Sequence, residues 1–158
     1  MAKQVEVTRT FNAPVEMVWQ VWTDPELVKR WWGPKYFISP LAIIDFRVGG
    51  KSIVSMKAPK EMGEQEFYSI WEYVKIVPHT SIEFIQNLSD KDGNKAQPAT
   101  LGMPPDFPMD IRTVVTFREV PGGKTEMTVI EYADMGSMSD FAQLGLEQSL
   151  DKMVAIFG

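Results

Sequence analysis

Val5 and Val7 alternate with Glu6 and Thr8, and this two-residue period predicts a first strand ending near Phe11. The period then changes. In NAPVEMVWQVWTD, Val15, Val18, Trp19 and Trp22 recur at helical spacing behind Pro14, which predicts a helix with one apolar face. DPELVKRWWGP predicts a second helix of about two turns: Asp24 suits the N-cap, Pro25 the first helical position, and Gly33-Pro34 the stop.

A helix this short draws its stability from packing rather than propensity. Residues four apart share a face, so Leu27 stacks with Trp31, while Trp32 points about 100° away and joins Val28. One Trp is therefore expected to anchor the helix against its predecessor. The other is free to face a cavity mouth or to pack in turn.

From Phe37 the pattern becomes β. FISPLAIIDFRV, KSIVSMKA, QEFYSIWEYVKIV, SIEFIQNL, MDIRTVVTFREV and TEMTVIEYAD read as six successive strands. Gly49-Gly50 and Pro121-Gly122-Gly123 give hairpin signals between the first and last pairs, and Pro78-His79-Thr80 breaks the middle. Short connections between successive strands imply an antiparallel meander. SMSDFAQLGLEQSLDKMVAIFG then returns to helical period, with Met138, Phe141, Leu144, Gln148 or Leu150, Met153 and Phe157 as its stripe and Ser137 or Ser139 as its cap. The fold expected is α+β, with a curved seven-stranded antiparallel sheet gripping one long C-terminal helix and two short helices after strand 1. A helix lying in a curved sheet leaves room for a cavity between them.

Composition narrows the chemistry. The 158 residues suit one domain spanning the whole chain, and 44% hydrophobic with 23% charged residues is ordinary for a globular protein. Ten Met, five Trp, four Tyr and nine Phe suggest an adaptable apolar interior. With no Cys and one His, thiol catalysis, disulfides, a metal centre and a Ser/His/Asp relay are all unsupported, and no cofactor is implied. A net charge of −5 argues against nucleic acid. The N-terminal stretch has no apolar signal core and no run reaches membrane-spanning length, so a cytoplasmic protein without membrane insertion is expected.

Strand alternation groups Met127, Val129 and Glu131 on one face, with Val115 and Phe117 on the partner strand. If that face is the cavity, Glu131 is an inward carboxylate of raised pKa and the one candidate acid or base; otherwise it is a solvent-facing residue near a strand end. Trp32, Trp71, Tyr73, Phe84, Val115, Phe117 and Phe141 are candidate lining residues for a ligand, or ordinary core of the same composition. The long segment SDKDGNKAQPATLGMPPDFP (89–108) reads as a lid with Met103, Phe107 and Met109 beneath it, or as a disordered connection. His79 reads as a solvated turn residue, and Asp45 with Arg47 as an ion pair on a solvated face.

FNAPVEMVWQVWTDPELVKRWWGP, DFRVGG, WEYVKIVPHTSIEF and GGKTEMTV together resemble the START-like (Bet v-like, SRPBCC) superfamily, in the branch named after the activator of the 90-kDa heat-shock protein ATPase. The resemblance covers nearly the whole chain and implies the helix-grip fold. Trp71 departs from the family's usual Gly, Pro78-His79-Thr80 from its usual turn, and GLEQSLDKM from a usual Gly-Trp. Members include ligand carriers, cyclase-type enzymes and a co-chaperone, and no universal catalytic residue carries over. The resemblance thus implies binding of a small hydrophobic or aromatic molecule, with a cyclase or hydrolase using Glu131 as the alternative. A chaperone partner is not expected, because the co-chaperone's additional N-terminal domain has no counterpart here. A homodimer stays open.

Overall fold

The computed structural model describes residues 4–158. Seven strands form one antiparallel sheet: β1 (Val5–Phe11), β2 (Ala42–Ile43), β3 (Lys51–Lys57), β4 (Glu66–Val77), β5 (Ser81–Ser89), β6 (Ile111–Val120) and β7 (Lys124–Tyr132). Their order across the sheet is β1-β7-β6-β5-β4-β3-β2, so the last six form a meander and β1 adds beside β7. Two short helices, α1 (Val15–Thr23) and α2 (Pro25–Trp31), follow β1, and the long helix α3 (Ser139–Ile156) closes the chain. This is the helix-grip architecture expected.

Register follows the apolar alternation. Across the ladder, Trp71 is paired with Ser52 and Gln86, Phe84 with Tyr73 and Thr113, and Val129 with Val115 and Val7, so these residues share the concave face. The register shifts between Tyr73 and Lys75, where β4 bends. Leu150 and Met153 of α3 are fully buried within the concave face. Arg9 Nε meets Asp151 Oδ1 at 3.0 Å on the β1 side of α3. On its other side Gln148 Oε1 accepts from the Lys35 amide at 3.1 Å, and Lys152 Nζ donates to the carbonyls of Pro34 and Phe37.

Three local expectations are corrected. FISPLAIIDFRV is mostly irregular: only Ala42–Ile43 pairs as a strand, with one bridge from Ile38 to Lys57. The two glycines therefore do not close a tight hairpin; Gly50 instead sits where a side chain would collide with the Asp45 carbonyl, and DFRVGG folds into a compact loop. Asp45 and Arg47 do form an exposed ion pair at 2.9 Å, on that loop rather than on a strand.

The face of α3 also differs. Its sheet-facing line runs through Ala142, Leu146, Leu150 and Met153, whereas Phe141 is 70% and Leu144 49% exposed. Its first turn is entered through a 3-10 turn at Gly136–Met138, and no side chain caps it; Ser139 Oγ donates back to the Gly136 carbonyl.

The 89–108 connection is ordered, but its first part turns away from α3. Gly93 lies against Ile53 and Ile70, which project from the convex face, and Lys51 Nζ donates to the Gly93 carbonyl at 2.9 Å. Only its end reaches the rim of the grip. There Asp106 accepts from the Ser137 amide at 2.7 Å and hydroxyl at 2.9 Å, and Phe107 packs with Val5, Ile111 and Met135.

Candidate functional site

The closed end of the grip is filled by aromatic rings. Trp31 is fully buried and its Nε1 donates to the Val21 carbonyl at 2.7 Å, which pins α2 to α1. Trp22 stands 4.7 Å from Trp31 and 5.7 Å from Trp71 between ring centroids. Trp71 also lies 5.1 Å from both Trp32 and Phe84. Trp71 thus occupies the middle of the concave face, where a glycine would have left space.

Tyr73, Val115 and Phe117 complete this core. Phe117 tilts against Trp19 at 5.2 Å, and Tyr73 meets Phe46 at 5.0 Å. The Tyr73 hydroxyl shares a 2.7 Å hydrogen bond with Ser52 Oγ, and burial pushes its pKa up to about 12. It is neutral and already partnered. His79 is exposed at a positive φ of 59°, its ring edge-on to Trp19 at 5.6 Å.

Toward the rim the packing changes character. Gln86 occupies the inward position on β5 between Phe84 and Leu88, and its Oε1 accepts from Trp71 Nε1 at 3.2 Å. Glu131, inward on β7 between Val5 and Thr113, lies next in line. Desolvation raises its pKa to about 7, and a hydrogen bond with the Gln86 side chain restrains that rise. It keeps some solvent contact while crowded by protein atoms. Leu146 of α3 packs against both the aromatic core and the smaller cluster of Val5, Ile111 and Met135, and so spans this zone.

The indole donors of the cluster divide sharply. Trp22 Nε1 reaches Met127 Sδ at 3.2 Å, and Trp31 and Trp71 reach the oxygens named above. Trp32 Nε1 is buried and has no acceptor among the described residues. A buried polar group without a partner costs roughly 1–3 kcal/mol, so native proteins retain few of them.

Two surface clefts lie elsewhere. One of about 200 Å³ is bordered by Val5, Met135, Ser139 and Gln143 at the start of α3. The other, about 420 Å³, is bordered by Tyr36, Ile38, Lys57 and Lys60. Neither is lined by Trp71, Tyr73 or Phe84. Among the described residues no cluster of acidic, His or Cys side chains could hold a metal, and no helix is long and apolar enough to cross a membrane.

The family profile described as Activator of Hsp90 ATPase homolog 1-like protein matches residues 12–158. The chain belongs to this family. Solved structures agree in fold. A solution structure of a protein from Arthrobacter aurescens is 23% identical, covers 99% of this chain and 86% of its own, and superposes with a TM-score of 0.80. The crystal structure of CV1439 from Chromobacterium violaceum is 21% identical over 98% of this chain and 96% of its own, with a TM-score of 0.78. An AHSA1-like protein from Aeromonas hydrophila is 19% identical over 98% and 94% of the two chains, with a TM-score of 0.68. A comparison with curated protein sequences returns no significant match.

Within this Activator of Hsp90 ATPase homolog 1-like chain, the residues singled out from sequence do not gather in one place. Trp71, Tyr73, Phe84, Val115 and Phe117 lie in the filled aromatic core. Trp32 and Glu131 lie at the rim, linked through Trp71 and Gln86. Phe107 lies in the smaller cluster, Met103 is half-buried in neither cluster, and Phe141 is exposed on α3. Gln86 and Leu146 were missed. A polar side chain at the same parity as Ile82 and Phe84 was the available signal for Gln86.

Proposed function

We propose that the protein binds a small hydrophobic or aromatic molecule between the sheet and the N-terminal half of α3, at the rim formed by Trp32, Trp71, Gln86, Glu131 and Leu146. The observation that carries this reading is Trp32 Nε1, a buried donor without an acceptor among the described residues, its ring edge-on to Trp71. Pockets for small molecules combine apolar area with a few convergent polar groups. Exposure of Phe141 and Leu144 supports entry past the first turns of α3, which are less buried than its second half.

Native mass spectrometry of gently purified protein against the denatured chain tests this. A reproducible extra mass, weakened by Trp32→Phe, is the expected result. An empty protein that also fails to bind neutral naphthalene derivatives in a tryptophan-fluorescence titration overturns it.

A second reading is an acid or base reaction at Glu131, favoured by a pKa raised to about 7. Among the described residues no second titrating group is placed beside Glu131, and this reading ranks below binding.

A further inference from the structure

The larger surface cleft, about 420 Å³, lies between two turns at the edge of the sheet. Ile38 and Lys57 bridge through both backbone groups, at 3.1 and 2.7 Å, so their side chains stand together on one face. The first turn, Pro34 to Phe37, is closed by the Phe37 amide on the Pro34 carbonyl at 3.0 Å and is held by Gln148 and Lys152 of α3. The second is drawn together on the Pro59 carbonyl, which accepts from the amides of Met62 and Glu64 at 2.9 and 3.3 Å. Hydrogen bonds thus fix both walls without a ligand.

Each turn carries a residue that backbone sterics disfavour. Tyr36 takes a φ of 74° at the third position of its turn, with Lys35 outside the positive-φ region, a place that favours glycine or asparagine. Glu64 takes a φ of 58° directly after Gly63. Of the four non-glycine residues with positive φ among those described, these two border the one cleft. Glycine would suit the first turn better and the Tyr36 ring is 73% exposed, so folding alone does not account for tyrosine. Ile38, also exposed, and Pro59 extend the apolar wall.

The charged groups bordering this wall are Lys57, Lys60 and Glu64. Lys57 Nζ meets Glu64 Oε2 at 3.9 Å, the longest ion pair among the described residues, where the others span 2.6 to 3.0 Å. Lys60 forms none among those residues, and Lys35 Nζ stands beside the cleft at 5.2 Å from the Tyr36 ring centroid. Glu61 and Glu66, the latter the ladder partner of Lys57, do not border it. One loosely paired ammonium and one unpaired ammonium against an apolar wall suit a carboxylate with a hydrophobic body.

We propose that this cleft binds a small aromatic carboxylate, its ring against Tyr36, Ile38 and Pro59 and its carboxylate between Lys57 and Lys60, displacing Glu64 from Lys57. The site is separate from the rim: none of Trp32, Trp71, Gln86, Glu131 or Leu146 borders it, so it stands whether or not the rim binds.

The test titrates isotope-labelled protein with 2-naphthylacetate and with 2-naphthaleneethanol, of like shape but uncharged, at pH 7 and low salt, and follows amide shifts. The acid is expected to bind at least about tenfold more tightly, moving amides of 36–38 and 57–64, and added salt narrows that margin. Lys57→Gln combined with Lys60→Gln removes the preference, whereas Glu64→Gln increases it. Tyr36→Gly supplies the residue the turn favours, so it melts no lower than the native protein yet binds the acid at least about tenfold more weakly. Equal affinities for the two probes, acid-induced shifts confined to the rim, or undiminished binding by Tyr36→Gly overturn the assignment. If the acid fails to bind at millimolar concentration the cleft assignment falls, and the alcohol's shifts at Trp32 or Glu131 decide the rim reading separately.

Discussion

Trp31 and Trp32 are neighbours in sequence whose indole nitrogens meet different ends, one on the Val21 carbonyl and the other without an acceptor among the described residues. The helical twist of about 100° per residue is sufficient cause, since it sends one ring toward α1 and the next toward the sheet. Glu131 shows the same dependence on placement. Its ordinary pKa of 4.5 is raised to about 7, so between those values the folded chain holds a proton that the unfolded chain has released. Stability from this group is therefore full below pH 4.5 and is lost as pH rises to about 7. Discounted for partial solvent contact, the loss is about 2 kcal/mol. Urea unfolding of Glu131→Gln should show that slope removed, with the variant more stable than the native protein by that amount at pH 8 and nearly equal at pH 4. Asp106 and Asp110, whose pKa values are lowered by hydrogen bonds from Ser137 and from Lys95 and Asn87, act with opposite sign in more acid solution. They cancel in the difference between the two proteins. Parallel curves for the pair would mean that Glu131 is solvated as in the unfolded chain.

Elements whose pattern is local were legible before the fold was known. The alternation of β1, β3 and β4 to β7, the Asp24-Pro25 start of α2 and the glycine turn between β6 and β7 each depend on side chains a few residues apart. Features set by distant partners were not. Ala42–Ile43 is a strand only where it meets Val54 and Ile53, and the true inner face of α3 is chosen by the sheet, which takes Leu146 and leaves Phe141 outside. The 89–108 segment looked like a lid because its prolines and apolar residues carry no direction. What turns its first part onto the convex face is Gly93, at a φ of +84°, where a built Cβ stands 2.7 Å from Ile53 Cδ1. Gly93→Ala should cost about 1–3 kcal/mol, combining left-handed strain with displacement of Ile53, and should raise amide exchange at Asn94 and Lys95. Ligand binding on the concave side should be unchanged. A neutral substitution would show that this turn is not seated on Ile53.

For the molecule as a whole, the site is defined by how far the grip is filled. Curvature of the sheet around one helix generates interior volume, and the chain fills it with Trp22, Trp31, Trp71 and Phe84, with the partly exposed Gln86 and Glu131 beyond them toward the rim. Trp71 sets the boundary between those halves because it touches the core on one side and Gln86 and Trp32 on the other. Its identity was visible in the sequence as a departure from the usual glycine, but whether it intruded on the cavity or turned aside depended on register. Replacing it tests the division directly. Trp71→Ala should lose about 3–5 kcal/mol, since α1, α2 and the sheet are cross-braced by other rings and cannot fully collapse into the gap. An apolar cavity of that kind binds small aromatic molecules, so indole should raise the melting temperature of the variant by more than that of the native protein, whose grip is already filled by the Trp71 ring. Rescue by indole would show that the sheet and helix hold their separation without the ring and that Trp71 acts as a built-in occupant of the grip. Loss of stability without rescue would mean that the ring itself maintains that separation, and that any ligand must enter at the rim alone.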